Sequence, residues 1–187
     1  DPLVDRLIAS ADAVLQSDVD VDPDTVEEDH PGLALVTVTS FGLTGKYAGR
    51  RGEEIIHYAM GGPMSASGAP DREPLKMGGD LGQYQCGTIA ATAVLASLAA
   101  ARRNGRGVSV DLSNIDTQIM SIDRRMTYLL YCAYRGENVP RSGGYATSIF
   151  PGGCRPTLDG HIQVSTLMNW LPRMVAVMND PEMTALY

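Results

Sequence analysis

At 187 residues and 44% hydrophobic content, the chain is long enough for one or two domains with a substantial core. Three widely spaced cysteines (Cys86, Cys132, Cys154) without a CxxC indicate neither a zinc site nor a disulfide framework. The net charge of −7 is uneven. Residues 1–30 hold ten acids against Arg6, a net −9, which leaves +2 over the other 157 residues and argues against a nucleic-acid partner.

The opening PLVDRLIASAD reads as a helix with Leu3, Leu7, Ile8 and Ala11 on one face. Residues 13–16 are a short apolar run suited to a buried strand. The acidic DVDVDPD is expected to be a solvated loop. It lacks the glycine and distal glutamate of an EF-hand, so no metal site is assigned. Asp24 is the expected N-cap of the short helix that follows. LALVTVT is β-branched and almost wholly apolar, the pattern of a strand buried on both faces of a parallel sheet. SFGLTG lies at its carboxyl end, where open α/β sheets bind ligands.

Residues 53–66 are expected to form a helix ended by GGP. A polar loop then leads to the longest helix, expected over residues 80–103, with Arg102 and Arg103 in its last turn and Gly105 beyond. At its start Asp80-Leu-Gly-Gln83 has the form of a capping box. Residues 88–101 are alanine-rich but interrupted by Thr92 and Ser97, and no stretch is expected to cross a bilayer. VSVDL reads as a strand, and Ser113 or Asn114 as the cap of a third helix running to about Arg135. Gly143-Gly144 and Pro151-Gly152-Gly153 break the chain. HIQV reads as a strand after the Asp159-Gly160 turn, and a last helix is expected from about Asn169 to Asn179.

Strand and helix alternate through residue 135. The expected class is α/β, with residues 1–135 forming part of a Rossmann-like large domain with a parallel sheet. Residues 136–187 are read as a linker and the start of a smaller α+β domain. Both ends are expected to be cut inside the fold. No basic segment follows Asp1-Pro2, so a signal peptide is not expected and a cytoplasmic location is.

The order VTVTSFGLTGKYAGRRGEE, YAMGGPMSASG, a polar loop, GD, and AVLASLAAARRNGRGVSVDLS resembles the family III CoA-transferases over about residues 3–183. The family includes formyl-CoA transferase, carnitine CoA-transferases and α-methylacyl-CoA racemase. The resemblance implies a Rossmann-like large domain, a smaller domain and two subunits threaded as interlocked rings, either a homodimer or a heterodimer with a related subunit. It implies acyl-CoA and carboxylate substrates, with coenzyme A as a cosubstrate and no covalently bound cofactor. Neither nucleic acid nor membrane is an expected partner.

The resemblance also implies a covalent aspartate nucleophile. It attacks a thioester to give an acyl-aspartyl anhydride, which conserves thioester-level energy. Asp80 is the acid in the right neighbourhood. In the family, however, this aspartate stands four residues before a glycine on the helix. Counting back from Gly87 and from the NGRG segment, the matching position is Gln83. Asp80 is the nucleophile if three residues are inserted. If not, the chain is a degenerate subunit that holds acyl-CoA or pairs with an active partner.

Glu54 matches the second acid of a pair that sits in the transferase active site, and is the expected assisting residue. Glu53 stands where the racemase branch carries histidine, and His57 is four residues late, so racemisation is disfavoured. Phe41, Gly42 and Gly45 of the strand-end loop are expected beside CoA, and Arg50 (with Arg51) at its phosphates. Gly143 and Gly144 match a glycine-rich lid over the intermediate. Glu53 and Gln83 complete the expected CoA-binding set.

Overall fold

The structure is a computed structural model that describes residues 1–17, 22–120, 125–141, 152–165 and 167–186. It divides into two compact units: Asp1–Ser65 with Lys76–Val139, and Ala66–Leu75 with Pro140–Tyr187.

The first unit is built on three parallel strands, β1 (Ala13–Ser17), β2 (Ala34–Thr39) and β3 (Val108–Ser113), in the order β1-β2-β3. Ala34 pairs with Ala13 on one side and Val108 on the other, and Val36 with Leu15 and Val110. The central strand has no water-facing side: residues 34–37 are all buried. That explains its nearly all-apolar, β-branched sequence, because a strand covered on both faces has no polar face to keep. The edge strands are half exposed, as β3 shows by its alternating burial.

Helices α1 (Pro2–Ser10), α2 (Pro23–Asp29), α3 (Glu54–Met60), α4 (Leu81–Asn104), α5 (Asn114–Ile119) and α6 (Arg125–Arg135) complete this unit. A core cluster of Val26, Leu33 and Leu35 joins α2 to β2, with Ile8, Ala11 and Val14 packed against it. The expected apolar face of α1 is only partly used: Leu3 and Leu7 are 56% and 61% exposed among the described residues. Asp22, not Asp24, is the N-cap of α2, and its carboxylate accepts from the Asp24 N–H. The helix expected over 53–66 stops at Met60 and resumes as a 3₁₀ turn at Pro63–Ala66. The third helix is divided into α5 and α6, with Ser113 capping α5 by accepting from the Asp116 N–H.

α4 packs on all three strands and on α3 and α5. Its buried positions are Gly82, Cys86, Ala90, Ser97 and Ala101, a stripe of small residues at helical spacing that lets the helix axis approach the sheet closely. Gly105 ends it in the left-handed conformation, φ 66°. By length and composition alone this 24-residue helix would suffice to cross a membrane, a test that a helix packed on a sheet also passes. At the start of β3, Gly107 donates to Pro31 O, and a Cβ there would overlap the Leu33 backbone.

In the second unit β4 (Gly152–Pro156) and β5 (His161–Ser165) form an antiparallel hairpin. Gly152 and Gly153 therefore begin a strand, where a chain break was expected; Gly153 has φ 89°. A 3₁₀ turn at Met168–Trp170 leads into α7 (Leu171–Met178), which buries Leu171 and Val175. A short helix α8 (Pro181–Leu186), not expected from the sequence, follows under the cap of Asp180. The Arg141 guanidinium donates to the carbonyls of Ala69, Pro70 and Arg72, which holds the residue 66–75 loop to this unit.

Candidate functional site

The start of α4 joins three segments distant in sequence. Glu54, in the first turn of α3, turns its carboxylate onto this helix end. Its Oε1 accepts from the Gly82 N–H at 2.5 Å. Its Oε2 meets the Lys76 ammonium at 2.8 Å, and the same ammonium donates to Gly79 O at 2.5 Å. Gln118, buried in α5, donates from Nε2 to Gly82 O at 3.3 Å. Gln85 donates to Thr117 O, a second link between α4 and α5. Gly82 has to be glycine in this knot: a Cβ would stand 2.8 Å from Glu54 Oε1 and 3.2 Å from Gln118 Nε2.

Burial on its own would raise the Glu54 carboxyl. The hydrogen bond and charge of Lys76, with the backbone N–H groups of Gly82 and Gln83, outweigh it and hold Glu54 below the usual carboxylate range. Glu54 is therefore an anion at neutral pH, and it caps α4 from another helix.

Asp80 occupies the N-cap position of α4 but makes no side-chain cap hydrogen bond; its φ and ψ are −110° and 44°. The capping box expected from Asp80 and Gln83 does not form: Asp80 makes no cap bond, and Glu54 takes the Gly82 N–H and also draws the Gln83 N–H that the box would use. The Asp80 side chain is exposed, and so is that of Gln83, three residues on in the first turn. Both positions suggested for the nucleophile thus lie on one helical turn, beside an ionised glutamate.

The strand-end loop is fixed to its neighbours. Gly42 and Gly45 adopt φ values of 92° and 96°, which only glycine reaches without strain. Gly42 donates to Thr39 Oγ1, and Leu43 donates to Asp111 Oδ2 on β3, each at 2.8 Å. Ser40 Oγ accepts from the Gly52 N–H, and Ser40 O accepts from the Ile115 N–H. Phe41 packs edge-on against His57, with ring centroids 5.4 Å apart, and tilts against Tyr47. Arg50 lies over the Tyr47 ring, 5.9 Å from its centroid, on the exposed side of the loop. Glu53 is exposed at the N-cap of α3 and makes no cap hydrogen bond.

His57, one turn after Glu53 and Glu54, is buried beneath this loop. Burial pushes its imidazole down, opposed by the charges of Glu53 and Glu54, and its Nε2 has no hydrogen-bond partner among the described residues. Burial likewise pushes the Cys86 thiol up, against partial relief by a hydrogen bond with Thr117. Neither group is set up as a nucleophile or a surface acid.

The expected residues thus form two groups: Glu54, Asp80 and Gln83 at the start of α4, and Phe41, Gly42, Gly45 and Arg50 in the strand-end loop. α3 links them, since it carries Glu54 and also the His57 that supports Phe41. Gly143 and Gly144 lie outside the described residues. Sequence reasoning missed Lys76, Gly82 and Gln118. A signal existed for Lys76: the chain has fifteen basic residues and only two are lysine.

A profile of CoA-transferase family III matches residues 1–187. The chain is 31% identical over 168 residues to the succinate–glutarate CoA-transferase of Agrobacterium fabrum, covering 86% of this chain and 41% of that protein. It is 29% identical over 193 residues to the succinyl-CoA–D-citramalate CoA-transferase of Chloroflexus aurantiacus, covering 97% and 46%. It is 27% identical over 165 residues to the beta subunit of that organism's succinyl-CoA–L-malate CoA-transferase, covering 87% and 40%. Among solved structures, a CaiB/BaiF family protein from Brucella suis superposes with a TM-score of 0.79 at 26% identity, covering 97% of this chain and 51% of that one. The chain spans about half the length of the relatives it matches, or less.

Proposed function

The chain belongs to CoA-transferase family III along its whole length, and on that premise we propose that it moves CoA between an acyl-CoA thioester and a carboxylic acid, with Asp80 as the covalent nucleophile. The Asp80 carboxylate attacks the thioester carbonyl. The carbon–sulfur bond breaks, CoA leaves as a thiolate, and an acyl-aspartyl anhydride remains. The thiolate then attacks the aspartyl carbonyl and releases the first acid. The acceptor carboxylate attacks the resulting aspartyl thioester, and returning thiolate carries the new acyl group away. Each exchange keeps an activated acyl bond, so no outside energy source is needed.

One observation carries this reading. The Asp80 carboxylate is exposed at the head of a 24-residue helix and makes no capping bond, because Glu54 supplies the cap. The helix N-terminus favours the ionised form of an acid placed there. Glu54 supports the turn, and the loop of Phe41, Gly42 and Gly45, with Arg50 at its exposed side, is the proposed rest for CoA. The similarity to the succinate–glutarate and succinyl-CoA–D-citramalate CoA-transferases makes a dicarboxylate the acyl group to try first. An interlocked dimer and a cytoplasmic location belong to the same reading.

Gln83 favours a second reading. It stands where the resemblance places the nucleophile, and an amide cannot form an anhydride. On this reading the chain holds acyl-CoA without turning it over, or pairs with a related active subunit; one relative is a beta subunit. Racemisation is less favoured, because Glu53 replaces the expected histidine and His57 is buried against Phe41. The two main readings separate on Asp80→Ala in the whole protein, purified as a homo-oligomer. The first requires loss of transfer from succinyl-CoA. Full transfer by the variant defeats it.

A further inference from the structure

We propose that Lys76 is a positioning residue for the transfer reaction: it keeps Glu54 on the first turn of α4, so that Glu54 caps the helix and the Asp80 carboxylate is left to the substrate. This rests on the functional reading above.

Lys76 joins three things at once. Its ammonium is 2.8 Å from Glu54 Oε2 and donates to Gly79 O, the carbonyl immediately before Asp80. The other Glu54 oxygen holds the Gly82 N–H, two residues after Asp80. The peptide unit before Asp80 and the second one after it are therefore tied to one ion pair. The pair is mostly shielded from water, with 27% of the Lys76 side chain and 11% of the Glu54 side chain exposed.

The chain uses arginine for thirteen of its fifteen basic residues, yet has lysine here. The geometry gives a reason. The two acceptors, a carboxylate oxygen and a carbonyl oxygen, come from different segments and converge on one point. A compact ammonium fits that arrangement, whereas the planar guanidinium fork suits one carboxylate met edge-on. Without the cation, Glu54 is a desolvated anion that either protonates or swings to water. Protonation weakens the hold on the Gly82 N–H to a neutral hydrogen bond and the swing releases it, and Asp80 is then the nearest acid able to cap it. A carboxylate engaged as a cap is turned away from its reaction partner, and a displacement of about 1 Å costs on the order of a hundredfold in rate.

The test compares wild type, Lys76→Met and Lys76→Arg in the whole protein, with folding checked by circular dichroism. Two readouts are made: the rate of acylation by succinyl-CoA, and the titration of the Glu54 carboxyl by ¹³C NMR. The proposal expects Lys76→Met to acylate roughly ten- to a hundredfold more slowly, with little change in KM for succinyl-CoA. It also expects Glu54 to titrate at higher pH than in wild type, with Lys76→Arg recovering part of both effects. An unmoved Glu54 titration overturns the proposal, as does a raised one with unchanged acylation. A loss confined to KM overturns it too, since Lys76 would then contact CoA itself. Wild-type protein that takes no acyl group refutes the functional reading, and the proposal with it. Wild type that is acylated as fast as Lys76→Met refutes the proposal alone.

Discussion

Gly82→Ala tests the joint between α3 and α4. Alanine is the better helix former by about 1 kcal/mol, so helix propensity alone predicts stabilisation. The structure predicts the reverse. The new Cβ would lie 2.8 Å from Glu54 Oε1 and 3.2 Å from both Glu54 Cγ and Gln118 Nε2. The first contact is with the end of a side chain, which ordinarily moves aside. Here it is pinned, because Oε1 holds the Gly82 N–H at 2.5 Å while Oε2 holds Lys76 at 2.8 Å. Retreat gives up a hydrogen bond to a charged group, worth roughly 1.5–3 kcal/mol. Set against the propensity gain, the net loss is about 0.5–2 kcal/mol. Urea unfolding at pH 7 reads it directly, as a lower midpoint with an unchanged m-value. The deficit also carries a pH signature. Glu54 is depressed in the folded state, so its stabilisation is complete above the usual carboxylate range and is lost as pH falls through the folded value. The deficit of Gly82→Ala should therefore shrink under acid conditions. A variant as stable as wild type at pH 7 would show that the knot at Gly82 does not exist as described.

His57 makes stability depend on pH in a separate window. Its folded-state pKa is lowered by burial, so the unfolded chain binds the proton first, and stability should fall as pH drops from above 6.5 toward the folded value. Urea midpoints between pH 7.5 and 5.5 should show this slope, and His57→Asn should flatten it; parallel slopes would contradict the burial argument. Gly107→Ala and Gly105→Ala should differ in degree. The first drives a Cβ into the Leu33 backbone, which no rotamer relieves, whereas the second meets open space and costs only the left-handed strain, about 1–2 kcal/mol. Thermal melts that rank Gly105→Ala as the more damaging would count against the packing of β3 on Leu33.

What was legible in the sequence was what short-range physics decides. The apolar run of β2 announced a strand covered on both faces. Arg102, Arg103 and Gly105 marked the end of α4, and Ser113 the start of α5. The misreadings arose where a distant residue won a local competition. Asp80 and Gln83 look like a capping box, yet Glu54, 28 residues before Gly82, takes the Gly82 N–H and also draws that of Gln83, the donor the box would have used. Lys76 has no motif around it, because its two acceptors converge only in the fold. Asp22 and Asp24 are equally good caps by type, and backbone geometry chose Asp22. Gly152 and Gly153 suggested a turn, but pairing with Ser165 and Val164 draws them into β4.

The measurement closest to the central claim is the intact mass of the whole protein after exposure to succinyl-CoA and related thioesters, followed by peptide mapping. The account predicts an acyl or CoA adduct on the peptide that begins the 24-residue helix, located at Asp80 and absent from Asp80→Ala. An adduct on another residue, or CoA binding with no adduct at all, would contradict it and leave the chain as a subunit that binds without reacting.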